Sequence, residues 1–367
     1  MGKITFNNSN SLFFQSLKSS VETYFKTNGI KKTGDWRLYS KALVLLPLAV
    51  LIYITLLAFN IPAIVSILLC ALLGLVMASI GFNVMHDACH GSYSSKKWVN
   101  NILGLTLNAL GGTAFFWKLK HNILHHTYTN IEGADDDIAQ SKLLRQSPTQ
   151  EWKPIHQYQH IYLTIAYSLT IFMWVSVRDF TKYFTKKVHN TALPPMNTKE
   201  HIIFWISKIC YVLFYIVIPI ICVGWVSWLI GYLIAGLVVS IVIAYVFQLA
   251  HAVEGPEFDS VGIEDKMIES EWAIHQIRTT ANFAPDSKVI SWFVGGLNFQ
   301  VEHHLFPRIS HIHYPEVSKI VKQKCEEFNL PYHCFPSFMQ ALSSHVKTMK
   351  KLGQKEFVPQ YAPVPVQ

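Results

Sequence analysis

Three clusters of histidine carry the chemistry that can be read from this chain: His86-Asp87-Ala88-Cys89-His90, His121-Asn122-Ile123-Leu124-His125-His126 and Gln300-Val301-Glu302-His303-His304. With 17 histidines in 367 residues, chance alone supplies about one adjacent pair, so the two His-His pairs say little. The spacing says more. On a helix, residues i and i+4 share a face, so His86 and His90 are expected to present two imidazoles to one metal ion. His121 and His125 are expected to do the same, with His126 turned toward a neighbouring position. Two such clusters can hold two metal ions. Imidazole suits iron, copper, nickel and zinc, and the lack of thiolate clusters turns the reading away from iron–sulfur centres and structural zinc, leaving iron or copper for redox work. Ligating imidazoles usually donate their second N–H to a carboxylate or carbonyl. Asp87, Glu302 and the acidic run Asp135, Asp136, Asp137 are the first candidates for that role, with Asn298 and His275 behind them.

The elements that must position these residues are apolar. Residues 42–59 and 61–84 are two runs near the roughly 20 residues of a spanning helix, parted by Asn60 and by Pro62, which suits a helix start. A second hairpin is expected over 202–222 and 225–249, broken at Val223-Gly224. Both turns lack Lys and Arg, whereas Lys18, Lys26, Lys31, Lys32, Arg37 and Lys41 precede the first hairpin, and Lys96, Lys97, Lys118, Lys120, Lys182, Lys186 and Lys187 lie between the two. The positive-inside rule then puts the N-terminus, the middle segment and the C-terminal third in the cytoplasm. His86 follows the second run and His251 the fourth, so both emerge beside the other clusters. Two weaker apolar stretches, 102–117 and 161–177, are read as interfacial or re-entrant. If 161–177 crossed alone, His251, His303 and His304 would lie across the bilayer from His86 and His121, and one shared centre could not form.

Composition agrees: 51% of residues are hydrophobic and 15% charged, a balance that keeps much of the surface in lipid. The formal charge of +8 is scattered rather than blocked, which excludes a nucleic-acid partner and fits anionic headgroups and an acidic redox partner. Cys70, Cys89, Cys210, Cys222, Cys325 and Cys334 form no C-x-x-C pair and are expected as reduced thiols. The first forty residues are polar and basic, so no cleavable signal is expected and the first apolar run stays as an anchor. The organisation expected is a cytoplasmic segment over 1–41, a membrane domain over 42–330 and a cytoplasmic tail over 331–367. Pro359, Pro363 and Pro365 point to a disordered end, and His311 and His313 are expected at the surface.

With these motifs the chain resembles the membrane fatty-acid desaturases. The H-D-x-x-H, H-x-x-x-H-H and Q-x-x-H-H boxes stand in the family's order. Trp117, Thr129-Asn130 and the run Gly295-Gly296-Leu297-Asn298-Phe299-Gln300-Val301-Glu302-His303-His304-Leu305-Phe306-Pro307 are also similar. The resemblance covers about residues 40–330. It implies an all-α integral-membrane fold with four transmembrane helices in two hairpins and a cytoplasmic helical cap holding a histidine-rich di-iron site. It implies His86, His90, His121, His125, His126, His251, His303 and His304 as iron ligands, dioxygen as co-substrate, and an acyl-CoA or acyl-lipid as substrate. Gln300 stands where many desaturases carry a third histidine. Glutamine there marks the front-end subgroup (Δ5- or Δ6-type, linoleoyl-CoA-desaturase-like), and it is read, with Asp87 and Glu302, as supporting the ligands rather than binding iron. No His-Pro-Gly-Gly motif of a fused cytochrome b5 occurs, so electrons are expected from a separate ferredoxin or cytochrome b5.

Two rivals share some of these features. Membrane lipid or alkane hydroxylases and ketolases use related histidine sets, and product analysis separates them. A metal transporter would put its ligands inside the spans near the midplane, not at or beyond their ends.

Overall fold

The computed structural model describes residues 4–9, 11–131, 133–135, 138, 142–148, 150–188, 191–258, 267–268 and 270–357. An amphipathic helix, α1 (Leu12–Thr27), precedes the spans. Four helices are long and apolar enough to cross a membrane: α2 (Trp36–Ala58), α3 (Ala63–His90), α8 (Thr198–Val223) and α9 (Trp225–His251). Each expected span is present, and each helix runs past the expected run on the side that carries the histidines. Asp35 starts α2 early by accepting from the Arg37 N–H at 2.9 Å, which satisfies a first-turn donor. α3 continues through a π turn, Gly81–His86, so the first box is the end of the span itself. Gly74 lets α3 and α9 meet closely, because a Cβ there would lie 2.7 Å from the Ala235 carbonyl.

Between the hairpins lie two broken helices. α4 (Lys97–Ala109) and α5 (Ala114–Tyr128) are bent by 108°, and α6 (Pro154–Ser168) and α7 (Thr170–Thr185) by 59°. The bends fall in the two stretches read as interfacial or re-entrant, and a 108° turn at Gly111-Gly112 is no straight crossing. Buried Lys208 of α8 ties this layer down, pairing with Asp179 of α7 at 2.9 Å.

The cap follows α9. It contains α10 (Trp272–Thr279), α11 (Lys288–Phe293), α12 (Gln300–Leu305), α13 (Tyr314–Glu327) and α14 (Phe338–Leu352). α1 folds onto it with a stripe at four-residue spacing: Phe13, Leu17, Val21 and Phe25 pack with Ile277, Phe299, Val317 and Val321 in one buried cluster. Each such side chain contributes about 1.5–3 kcal/mol by leaving water, so the N-terminal helix clamps the element carrying the third box. The described strands are three two-residue pairs. Thr5–Phe6 runs parallel to Met267–Ile268, Lys187–Val188 antiparallel to Thr191–Ala192, and Asn282–Phe283 parallel to Cys334–Phe335.

One expectation is overturned, the surface placement of His311 and His313. His311 and His313 are buried, each 4% exposed, because the segment after the third box turns back under α3 instead of leaving the fold. Within the tail expected over 331–367, α14 buries Ala341, Met349 and Leu352, while Pro359, Pro363 and Pro365 lie outside the described residues. All six cysteines are free thiols, as expected.

Candidate metal centre

All eight histidines expected as ligands are buried. Their ligand atoms form two groups, each within 4.8 Å: His86, His90, His121 and His303 in one, His125, His251 and His304 in the other. His126 stands between them, its Nε2 3.3 Å from His121 Nε2 and its ring 4.5 Å from those of both His303 and His304. His86 and His90 share a group as their spacing predicts. His121 and His125 do not, and the reason is local. Residues Lys118–His125 form a π turn, whose wider i→i+5 winding lays His126, rather than His125, beside His121.

The outward nitrogens of His125, His251, His303 and His304 are held by the protein. His125 Nδ1 meets the Asp135 carboxylate at 3.0 Å, and Asn130, in the left-handed region at φ 55°, donates its backbone N–H to the same carboxylate at 3.0 Å. Asp136 and Asp137 lie outside the described residues. His251 Nδ1 faces the Thr279 carbonyl at 3.3 Å. His304 Nδ1 donates to Gln276 Oε1 at 2.9 Å, with Thr129 Oγ1 at 3.1 Å. His303 Nδ1 meets the Tyr314 hydroxyl at 3.2 Å. Gln276, Thr279 and Tyr314 left no mark in the sequence. Thr129 left one, its place four residues after His125, whose carbonyl it reaches at 2.7 Å.

The Nε2 atoms point inward, toward one another. The Nε2 atoms of His86, His126 and His303 lie 3.3, 3.3 and 3.4 Å from His121 Nε2, and buried His90 Nε2 and His304 Nε2 have no hydrogen-bond partner among the described residues. Burial first, and neighbouring imidazoles second, hold His303 and His304 well below the usual imidazole range. They are therefore neutral bases whose lone pairs face one another, an arrangement that repels itself unless a cation stands between them. The donor set fits a metal ion.

The carboxylates divide. Asp87 lies 4.0 Å from His86 Nδ1 but 3.1 Å from His311 Nδ1. Among the described residues Glu302 hydrogen-bonds to no imidazole: its oxygens accept from Asn282 Nδ2 at 2.8 Å and from the Tyr332 hydroxyl at 2.9 Å, and burial raises its pKa to about 7. Its work is to bridge α12 to the strand pair beneath it. Asn298 holds the Ala284 carbonyl and Ser291, and His275 the Thr129 carbonyl. Gln300 is buried in α12, its Nε2 without a hydrogen-bond partner among the described residues.

Two cavities meet this cluster. One of 560 Å³ runs between the hairpins from His86 and Met85, past Met77, Leu73 and Cys70, to Phe59, Asn60 and Cys222. From Ser66 to His86 it follows α3 for roughly 30 Å at about 1.5 Å per residue, about the depth of a bilayer's hydrocarbon core. The other, of 370 Å³, reaches His121, His125 and His251 and carries Lys120, Lys142, Arg178 and Lys182 on its wall. Trp117, Trp174, Ile243 and Phe247 line both. Trp117 stacks on His121 at 4.3 Å, and the Trp174 indole donates to Asp179 at 3.1 Å.

The family described as fatty acid desaturase matches residues 62–336. An sn-1 linoleoyl-lipid 6-desaturase of Arthrospira platensis is 36% identical over 354 residues, 96% of this chain and 95% of that one. An enzyme of the same description from Synechocystis sp. is 35% identical over 93% of this chain and 96% of its own length. An acyl-lipid (8-3)-desaturase of Physcomitrium patens is 32% identical over 94% of this chain and 72% of its own length.

Proposed function

The chain belongs to the fatty acid desaturase family, and from that premise we propose that it is a front-end enzyme that places a double bond on the carboxyl side of an existing one in a lipid-linked acyl chain. The observation that carries this reading is the convergence of eight buried histidines where a long apolar cavity reaches His86. The 6-desaturase description of its relatives from Arthrospira and Synechocystis favours the Δ6 position and an acyl-lipid substrate.

Two iron ions are proposed, one held by His86, His90, His121 and His303 and one by His125, His251 and His304, with His126 between. When bound, iron with dioxygen and two external electrons supplies an oxidant strong enough for an unactivated methylene. The rest is done by the chain. The cavity holds the methyl-side part of the acyl group between the spans and keeps water from it. Trp117 and Phe247 wall the point where the two cavities meet beside His121. Gln300, beside the ligands of α12, offers an amide to a bound water. Residues 42–330 form the catalytic unit with its centre toward the cytoplasm, where a separate ferredoxin or cytochrome b5 delivers electrons.

The test is expression in a host of known lipid profile fed linoleate, with double bonds located by gas chromatography and mass spectrometry beside a His304→Ala control. A new carboxyl-side double bond in ester-linked lipid, absent from the control, is expected. A hydroxylated product contradicts the reading.

A further inference from the structure

A buried polar chain lies next to the histidine cluster that the proposed reaction does not use. Lys41, 7% exposed, sits in the second turn of α2. Its Nζ donates to Asn83 Oδ1 at 2.9 Å, approaches the Trp292 carbonyl at 3.4 Å and meets His311 Nε2 at 3.0 Å. An ammonium has donors only, so His311 Nε2 is the accepting nitrogen and the ring proton belongs on Nδ1. That Nδ1 stands 3.1 Å from Asp87 Oδ1, a contact of a neutral ring N–H with the carboxylate charge that lacks the alignment of a full hydrogen bond. The other carboxylate oxygen accepts from Ser310 Oγ at 2.7 Å and from the His311 backbone N–H at 3.3 Å. Asp87 in turn lies 4.0 Å from His86 Nδ1, while His86 Nε2 faces His121.

Each of these groups is costly to bury alone. Together they form a balanced series of ammonium, imidazole and carboxylate that ends behind one imidazole of the cluster. We propose that Lys41, His311 and Ser310 are positioning residues for the metal centre: they hold Asp87 as an oriented anion behind His86, which fixes that ring with Nε2 inward and strengthens it as a ligand. The inference rests on the reading of His86 as a ligand. At 4.0 Å the carboxylate acts on His86 through its charge and by limiting how the ring can turn. A carboxylate or carbonyl hydrogen-bonded behind a ligating histidine is worth about 10–100-fold in metal affinity; the more distant Asp87 contributes less, and its placement depends on residues 46 and 224 positions away in the chain.

The experiment is a cobalt(II) titration of the purified, chelator-stripped full chain, read by visible absorption, with thermal stability measured in parallel. His311→Phe removes both polar contacts, Lys41→Met removes the terminal charge, and His311→Gln keeps one donor and one acceptor. His311→Phe and Lys41→Met are expected to weaken cobalt binding by about 5–10-fold, below the about 10–100-fold that a directly hydrogen-bonded partner commands, and to shift its absorption. His311→Gln should stay within about threefold of wild type, and the Lys41→Met/His311→Phe double variant should lose no more than the worse single. Unchanged cobalt affinity and spectrum in His311→Phe and Lys41→Met, even with a lower melting temperature, overturns the proposal and leaves only a brace between α2 and the cap. Should His311→Phe not fold, Lys41→Met and Ser310→Ala decide by the same readout. Wild-type protein that binds no cobalt defeats the reading of His86 as a ligand, and this inference with it.

Discussion

Two halves of the histidine cluster are built to different standards of support. Behind His125, His251 and His304 stand acceptors in direct reach: Asp135 at 3.0 Å, the Thr279 carbonyl at 3.3 Å and Gln276 Oε1 at 2.9 Å. Behind the four-histidine group the backing is looser, with a tyrosine hydroxyl on His303 at 3.2 Å, an indole face on His121 and a carboxylate 4.0 Å from His86. A direct acceptor keeps the ring proton on Nδ1 and makes Nε2 the stronger base, so three imidazoles can suffice where it is present. The looser group is also the one the acyl cavity reaches, through His86. Firm support stands away from that cavity, and room for adjustment stands beside it.

The harshest test of this contrast is His121→Ala. Its Nε2 lies within 3.4 Å of three other histidines, so product should fall to background and metal content by at least one ion, measured by chromatography and elemental analysis. Asp135→Asn against Tyr314→Phe comes next. Loss of the direct carboxylate should cost about 10–100-fold in metal affinity or turnover, and loss of the hydroxyl less than about tenfold. The reverse order would break the comparison.

Gly236→Ala probes the cavity instead of the ligands. Its new methyl would overlap the Phe172 ring, and both residues line the 560 Å³ cavity. Discrimination against longer acyl chains should rise by about tenfold, in the range one methylene commands, with metal content unchanged; an unaltered chain-length profile would remove that wall from the substrate path.

His345 is the control, a buried histidine that joins neither group. It faces the Ala252 carbonyl at 2.7 Å and the Tyr167 hydroxyl at 3.0 Å, and burial lowers its pKa to about 4. The unfolded chain binds this proton near pH 6.5 and the folded chain only near 4, so its neutral form is fully stabilising above about 6.5. As pH falls between those values, stability should drop by at most about 3 kcal/mol. His345→Gln should flatten that slope in thermal unfolding while leaving metal content alone.

Much of this was legible in the residues. Four apolar runs gave four spans, and the three boxes with His251 gave the eight histidines that the fold brings together. How they divide was not legible, because the π turn at Lys118–His125 depends on packing and has no pattern of its own. Nor were the supporting groups. Gln276, Thr279 and Tyr314 are ordinary residues that only tertiary folding places behind a ring, and Lys41 meets His311 across 270 positions. His311 was misplaced at the surface because a polar, basic segment reads as solvated until its partners are known. Glu302 was misjudged by adjacency: next to His303 in the chain, it points toward Asn282 and Tyr332 instead.

The central claim is that these histidines form two metal positions, and iron counting with Mössbauer spectroscopy on the purified, iron-57-grown full chain tests it most directly. Two irons per chain in nitrogen-rich surroundings are predicted, with one ion lost in His304→Ala. A single iron per chain in the wild type, or undiminished iron in His304→Ala and His121→Ala alike, would contradict it.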